Sequence, residues 1–169
     1  MNKMRKYHRA LGLYGIIYSK NKGLVVIKKN RGPYVNRLDL PGGSLEDGEE
    51  LSAAIKREIN EETGLVVLQS RQIGITSFKY PWDYLKFHFN QHIAVFYDIQ
   101  KYSGNIEKIP LQFPGQDSLG SIFMPLEKLN ETNSSPLVLK AKDYLQNNKR
   151  FDESDTVLLR WNVLNSESF

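Results

Sequence analysis

Residues 40–65 read LPGGSLEDGEELSAAIKREINEETGL, and this stretch decides the fold. Pro41-Gly42-Gly43 must turn, since proline fixes one dihedral and the glycines free the next. Asp47 and Glu50, three residues apart, form a capping-box-like pair that predicts a helix starting near Glu49 or Glu50. Thr63-Gly64 ends it, with Gly64 suited to a left-handed cap. At ~100° per residue with Glu58 at zero, Leu51 falls at about 20°, Ala54 at about −40°, Ile55 at about 60° and Ile59 at about 100°. On the same wheel Glu62 falls at about 40° and Glu61 at about −60°. Glu58 and Glu62 therefore continue the apolar stripe. Arg57 and Lys56 point elsewhere, at about −100° and 160°.

A Glu-rich helix is ordinarily a solvated face, but here the inward face turns acidic over its last two turns. Inward carboxylates must be paired or hold a cation, because burying bare charge costs several kcal/mol each. Carboxylates at i, i+3 and i+4 reach one another. Hard oxygen donors without His or Cys suit Mg²⁺ or Mn²⁺, ions that usually work on phosphates. Gly42-Gly43 would let backbone approach such a group closely.

Working outward, Ala10–Tyr18 and Leu24–Lys28 read as strands, and Asn21-Lys22-Gly23 between them predicts a hairpin. Arg37–Leu40 is a short extended piece. After the helix, Leu65–Phe78 and Leu85–Ile99 read as strands, residues 105–119 as a loop, and Ser121–Leu126 as a further strand. Ser135-Pro136 opens a second helix to about Asn148. Residues 151–169 are ambiguous, with an apolar burst at Val157–Trp161. The order predicts an α+β single domain over 1–169, with a core at about 8–130 and a C-terminal helix and extension at about 132–169. GxGxxG and GxxxxGK[ST] are both absent, which excludes those two phosphate-binding loops.

The 169 residues contain no cysteine, so disulfides, zinc–thiolate sites, iron–sulfur clusters and thiol nucleophiles are excluded. No apolar run approaches membrane-spanning length, and the chain reads as soluble and cytoplasmic. The net charge of +4 conceals a division. Residues 43–65 hold seven acids and two bases, whereas the rest holds 12 acids and 21 bases. An acidic patch in a basic chain suits the capture of a polyphosphate.

Gly43, five residues, Glu49, seven residues, then Arg57-Glu58-Ile59-Asn60-Glu61-Glu62-Thr63-Gly64-Leu65 resembles the Nudix box without a departure. Leu40-Pro41-Gly42-Gly43 resembles the family's entry into it. The resemblance implies an α/β/α sandwich around a mixed β-sheet. It implies a Mg²⁺-dependent pyrophosphohydrolase, with Mn²⁺ as a substitute. Water would attack phosphorus in the diphosphate linkage of a nucleoside triphosphate or nucleoside-diphosphate conjugate. Carried over by position, Glu58, Glu61, Glu62 and the carbonyl of Gly42 would hold the metal. Arg57 would orient the glutamates with help from Glu49. Glu58 or a downstream residue would be the general base. A further family acid sits about six residues before an aromatic; with Phe123 as that aromatic, the position is Asp117, where the family more often has Glu. Leu38 stands where many relatives have an aromatic.

Several weaker signals remain. His88 and His92 share one strand face with Asn90. Among the aromatics of residues 78–89, Trp82 and Tyr84 flank the turn-like Pro81 and Asp83, and are the candidates to stack a base. Lys28, Lys29, Arg31 and Arg37 form a basic stretch beside the box that either meets substrate phosphate or is a solvated loop; Arg37 is the substrate-binding candidate. The partner expected is a small nucleotide. Two other functions stay in view, a non-catalytic nucleotide-sensing module and RNA 5′-end processing, although the basic density required for nucleic acid is missing. The late helix packs on the domain or forms a homodimer interface.

Overall fold

The computed structural model describes residues 6–106 and 115–169. Its strands are β1 (Tyr7–Ile16), β2 (Tyr18–Ser19), β3 (Gly23–Lys29), β4 (Leu38–Asp39), β5 (Gly42–Gly43), β6 (Val66–Tyr84), β7 (Phe87–Ser103), β8 (Ser118–Met124) and β9 (Thr156–Val157); its α-helices are α1 (Leu51–Thr63) and α2 (Pro136–Gln146). One sheet runs β5-β1-β7-β6-β9; in the other β3 pairs with β2, β4 and β8. The first is mixed: β1 lies parallel to β7, and β7 antiparallel to β6.

Strand alternation divides the core between two faces. Leu13, Ile17, Val25, Val95 and Ile99 pack with Ala54, Ile55 and Ile59 of α1. Tyr14, Ile16, Leu24, Val26 and Phe96 pack with Leu137, Val138, Ala141 and Tyr144 of α2. Neighbouring residues thus serve opposite layers, which makes the α/β/α sandwich. The helix α2 thus spends its buried apolar stripe on this core.

Three local expectations are corrected. The turn at residues 20–22 forms, but it joins only β2 to β3. β1 pairs along its length with β7, because the core needs Leu13 and Tyr14 on opposite faces of the larger sheet. The Asp47–Glu50 cap does not form: Glu50 is the N-cap residue, without a side-chain cap bond. Pro81 and Asp83 lie within β6, at a register shift between Pro81 and Tyr84, where proline is tolerated in a sheet. The turn itself is Leu85-Lys86, with Leu85 at φ 52°. Of the expected loop at 105–119, residues 107–114 lie outside the described residues, and Ser118 onward is already β8.

The chain after α2 returns across the domain. Phe151 packs against Phe96 with ring centroids 5.0 Å apart. Residues 156–157 join the edge of β6 as β9. Trp161 then donates from Nε1 to the Pro33 carbonyl at 2.8 Å and lies 5.6 Å from the Tyr34 ring.

Candidate active site

The acidic end of α1 is turned inward, as the wheel predicts for Glu58 and Glu62. Ala54, Ile55, Ile59 and Glu62 are buried on one stripe, while Leu51, the first helical residue, is exposed. Gly64 caps the helix in the left-handed conformation, its N–H reaching the Asn60 carbonyl. Glu62 is 2% exposed and accepts the Gly42 N–H at 2.7 Å. Gly42 has φ 149°, and a Cβ there would stand 2.0 Å from the Leu13 carbonyl oxygen. Gly43 leaves room for Glu58: a Cβ would lie 2.6 Å from its Oε1. The two glycines thus have separate uses, one for the strand and one for the carboxylate.

Arg57 starts on the side face of the wheel, but its length carries the guanidinium back over the helix end. Nε and Nη2 grip the two Glu49 oxygens at 2.8 and 2.7 Å. Nη1 reaches Glu58 at 3.0 Å and Glu61 at 3.4 Å, and Nη2 reaches the Ser44 carbonyl. This bidentate fork fixes the plane of the group. Hydrogen bonding to Arg57 pulls Glu49 down to about 2. Burial pushes Glu58 up, against the Arg57 bond, and pushes Glu62 well up, against the charge of Lys29.

Glu58, Glu61, Glu62, Gly42, Arg57 and Asp117 all line one cavity of about 380 Å³. Asp117 is ion-paired with Lys29. Burial drives Lys29 towards the neutral form, but Asp117, Glu62 and Asp39 outweigh it, and its pKa rises. Glu61 is at the rim, exposed. Among the described residues no three acidic or imidazole side chains converge on one point. The donor chemistry nonetheless suits a divalent cation. Glu58 and Glu62 are inward carboxylates raised by desolvation, with room over Gly43, and Arg57 is engaged with Glu49.

A second cavity of about 470 Å³ shares Tyr14, Lys29, Arg31, Ser44 and Asp117 with the first and adds Trp82, Tyr84, Tyr34 and His92. Trp82 and Tyr84 stack at 5.0 Å and 8°, with His8 edge-on to Tyr84 at 4.7 Å. They stand on one face at the end of β6, two residues apart. His92 and His88 share a strand face but have different partners. His92 is buried between Tyr14 (2.9 Å) and Tyr34 (3.0 Å), whereas exposed His88 meets Asp83.

Of the basic stretch, Lys29 and Arg31 face both cavities. Lys28 lies over the Phe169 ring. Arg37 lines neither of these cavities but a third, of about 590 Å³, with Trp161 and Asn162. It is 5% exposed, bonds the carbonyls of Glu131, Thr132 and Asn162, and stacks on Trp161 at 4.6 Å. Its charge is solvated by backbone, so it anchors the C-terminal segment. Sequence reasoning missed Tyr14, Tyr34 and Asp39. Asp39, 1% exposed, accepts the Leu40 N–H and the Ser135 hydroxyl. Its one local signal is an acid between Leu38 and Leu40; the tyrosines look like ordinary core.

Comparison with known proteins places the chain among its relatives. An "ADP-ribose pyrophosphatase" from Methanocaldococcus jannaschii is 40% identical over 78 residues, 46% of either chain. An "8-oxo-dGTP diphosphatase" from Buchnera aphidicola is 37% identical over 76 residues, 44% of this chain and 56% of that one. The chain thus spans about half the length of the curated relatives it matches. A MutT NUDIX hydrolase structure from Burkholderia pseudomallei superposes with a TM-score of 0.63 at 18% identity, over 80% of this chain and 97% of that one, which supports the fold. The NUDIX domain pattern matches residues 6–146, from β1 to the end of α2, and the chain belongs to that family.

Proposed function

We propose that this chain is a divalent-metal-dependent pyrophosphohydrolase, using Mg²⁺ with Mn²⁺ as a substitute, that cleaves the diphosphate linkage of a nucleoside triphosphate or nucleoside-diphosphate conjugate. The observation that carries the reading is the acidic inner end of α1, where Glu62 is 2% exposed and the Glu58 carboxylate occupies space that a Cβ at residue 43 would take. The relatives named for ADP-ribose and 8-oxo-dGTP lend support, since both substrates contain phosphoric anhydrides.

In this reading Glu58, Glu61, Glu62 and the Gly42 carbonyl hold the ion. When bound, it offsets phosphate charge, polarises phosphorus and lowers the pKa of bound water. Glu49 locks Arg57, and Arg57 holds the Glu58 and Glu61 carboxylates in place. Lys29 and Arg31 draw the polyphosphate into the shared part of the two cavities. Trp82 and Tyr84 offer a flat surface for the base. Glu58 or Asp117 receives a proton from the attacking water; the Lys29 contact keeps Asp117 beside the phosphates. The products are a nucleoside monophosphate and pyrophosphate or a phosphorylated remainder.

The test is a product-resolved screen of nucleoside triphosphates, oxidised triphosphates, dinucleoside polyphosphates and ADP-ribose-like conjugates with Mg²⁺ and Mn²⁺. The expected result is metal-dependent turnover that Glu62→Gln lowers by several orders of magnitude with folding kept. Near-normal turnover in a well-folded Glu62→Gln protein would remove the ligand assignment. Nucleotide binding without turnover across the panel would favour a sensing module.

A further inference from the structure

The buried chain of hydroxyls and imidazole beneath the second cavity has a direction, and its far end sets it. His8 Nδ1 donates to Asn90 Oδ1 at 2.9 Å, which leaves the Asn90 amide nitrogen to donate to the Tyr80 hydroxyl at 2.8 Å. Tyr80 is 1% exposed, and its oxygen lies 3.0 Å from that of Tyr34. Were Tyr34 to donate to Tyr80, the Tyr80 proton would be left facing an N–H donor. A buried donor without a partner carries its full desolvation cost. Tyr80 therefore donates to Tyr34, and Tyr34 to His92 Nδ1 at 3.0 Å. Burial holds the imidazole neutral, with its pKa down at about 3. A neutral ring that accepts at Nδ1 carries its proton on Nε2. Nε2 then donates to the Tyr14 hydroxyl at 2.9 Å.

Tyr80 and Tyr34 each receive one hydrogen bond and give one. Tyr14 is last, and among the described residues its hydroxyl is paired with His92. Its own proton is left over. Tyr14 also lines both cavities, on the boundary between the aromatic stack and the carboxylates, beside Lys29. We infer that the Tyr14 hydroxyl is an oriented hydrogen-bond donor to the phosphate oxygen nearest the nucleoside. The class of ligand it selects is a nucleoside 5′-phosphate group. Tyr80, Tyr34 and His92 act through Tyr14 as positioning residues. The inference rests on the nucleotide reading above but not on hydrolysis.

The test is calorimetric binding of adenosine and guanosine 5′-monophosphates, and of the two nucleosides, without divalent ion. Tyr14→Phe is expected to weaken monophosphate binding about tenfold to a hundredfold, the range for a hydrogen bond to a charged group, while leaving nucleoside binding within about twofold. Tyr80→Phe, remote from the ligand, is expected to weaken monophosphate binding by about threefold to tenfold, because the relay can then run backwards. The double variant should bind no more weakly than Tyr14→Phe alone, with thermal unfolding confirming that each protein folds. The inference is overturned if the wild type binds no monophosphate, if Tyr14→Phe binds it normally or loses nucleoside equally, or if the two losses add. The anhydride screen runs in parallel. The expected binding pattern without turnover sinks the hydrolase reading alone; turnover with unchanged monophosphate affinity in Tyr14→Phe sinks this inference alone.

Discussion

Gly42 and Gly43 are neighbours, yet alanine at each should do opposite things. At Gly43 the new methyl carbon would sit 2.6 Å from Glu58 Oε1 and 2.7 Å from its Oε2, where ordinary contact begins near 3.4 Å. The carboxylate must retreat by roughly 0.8 Å, which disturbs the 3.0 Å bond it accepts from Arg57 Nη1. Because the obstacle is the tip of a flexible side chain, folding should change by only about 1 kcal/mol or less, helped by the stiffer unfolded chain. Displacement of a reacting group by about 1 Å costs about a hundredfold in rate. Gly43→Ala should therefore keep its melting temperature within a few degrees and lose about two orders of magnitude in kcat on whichever anhydride the screen identifies. At Gly42 the methyl would meet the Leu13 carbonyl oxygen at 2.0 Å, with φ at 149°, and nothing there can yield. Gly42→Ala should lose about 3 kcal/mol or more in denaturant unfolding. Wild-type turnover in Gly43→Ala would refute the reasoning, as would a stability loss as large as that of Gly42→Ala.

Three further outcomes are expected. Arg57→Lys replaces a fork with a point charge, so turnover should fall about tenfold to a hundredfold while far-UV circular dichroism stays unchanged; unaltered turnover would mean the Glu49 bidentate contact positions nothing. His92 has its pKa lowered to about 3 by burial, against about 6.5 when unfolded. The native state therefore binds fewer protons than the unfolded chain in that window. Its contribution is whole above pH 6.5 and is lost as pH falls towards 3, on the order of 5 kcal/mol at most. Urea titrations at pH 7 and pH 4 should show a smaller pH-dependent loss in His92→Gln than in the wild type, and equal losses would dismiss the effect. Trp161→Ala removes the ring that Arg37, Tyr34 and Tyr80 pack on, and should lower stability by about 2–4 kcal/mol and raise KM more than it lowers kcat. An unchanged KM would show that the segment beyond α2 does not shape the second cavity.

The legibility of the site followed the range over which each feature is determined. The α1 stripe and its Gly64 cap are set within a few residues, so the inward direction of Glu58 and Glu62 could be read from a wheel. The acid–metal reading followed from that direction together with the i, i+3 and i+4 spacing of the carboxylates and the lack of His or Cys beside them. The Asp47–Glu50 cap misled because it is also local but faces a competitor: Glu49 bonds both the Glu46 N–H and Arg57, and the helix starts beyond it. The surroundings of Arg37 were illegible for the opposite reason. A guanidinium beside a phosphate site and one among carbonyls 94 to 125 residues away look identical in sequence. The Tyr14–His92 pair was out of reach because it depends on β1 lying beside β7, a pairing that no local pattern specifies. Trp82 and Tyr84 were chosen for a turn that proved to be strand, but their two-residue spacing puts them on one face in either case.

The pairing of β1 with β7 has a consequence for how faithfully the chain folds. The strands meet in parallel, Tyr7 beside Phe89, 82 positions apart. Such a closure comes late and allows trial pairings. A slip by one residue turns every side chain of a strand to the opposite face. On one face a slipped β1 would press the Tyr14 hydroxyl among Ile55, Ile59 and Val95, with no imidazole to meet it. The polar relay thereby acts as an error check: a misaligned sheet is penalised by stranded hydroxyls, and the correct one is the alignment in which they find partners. Replacing these groups by apolar rings would remove the check, so refolding should become more heterogeneous even where the final structure is no less stable.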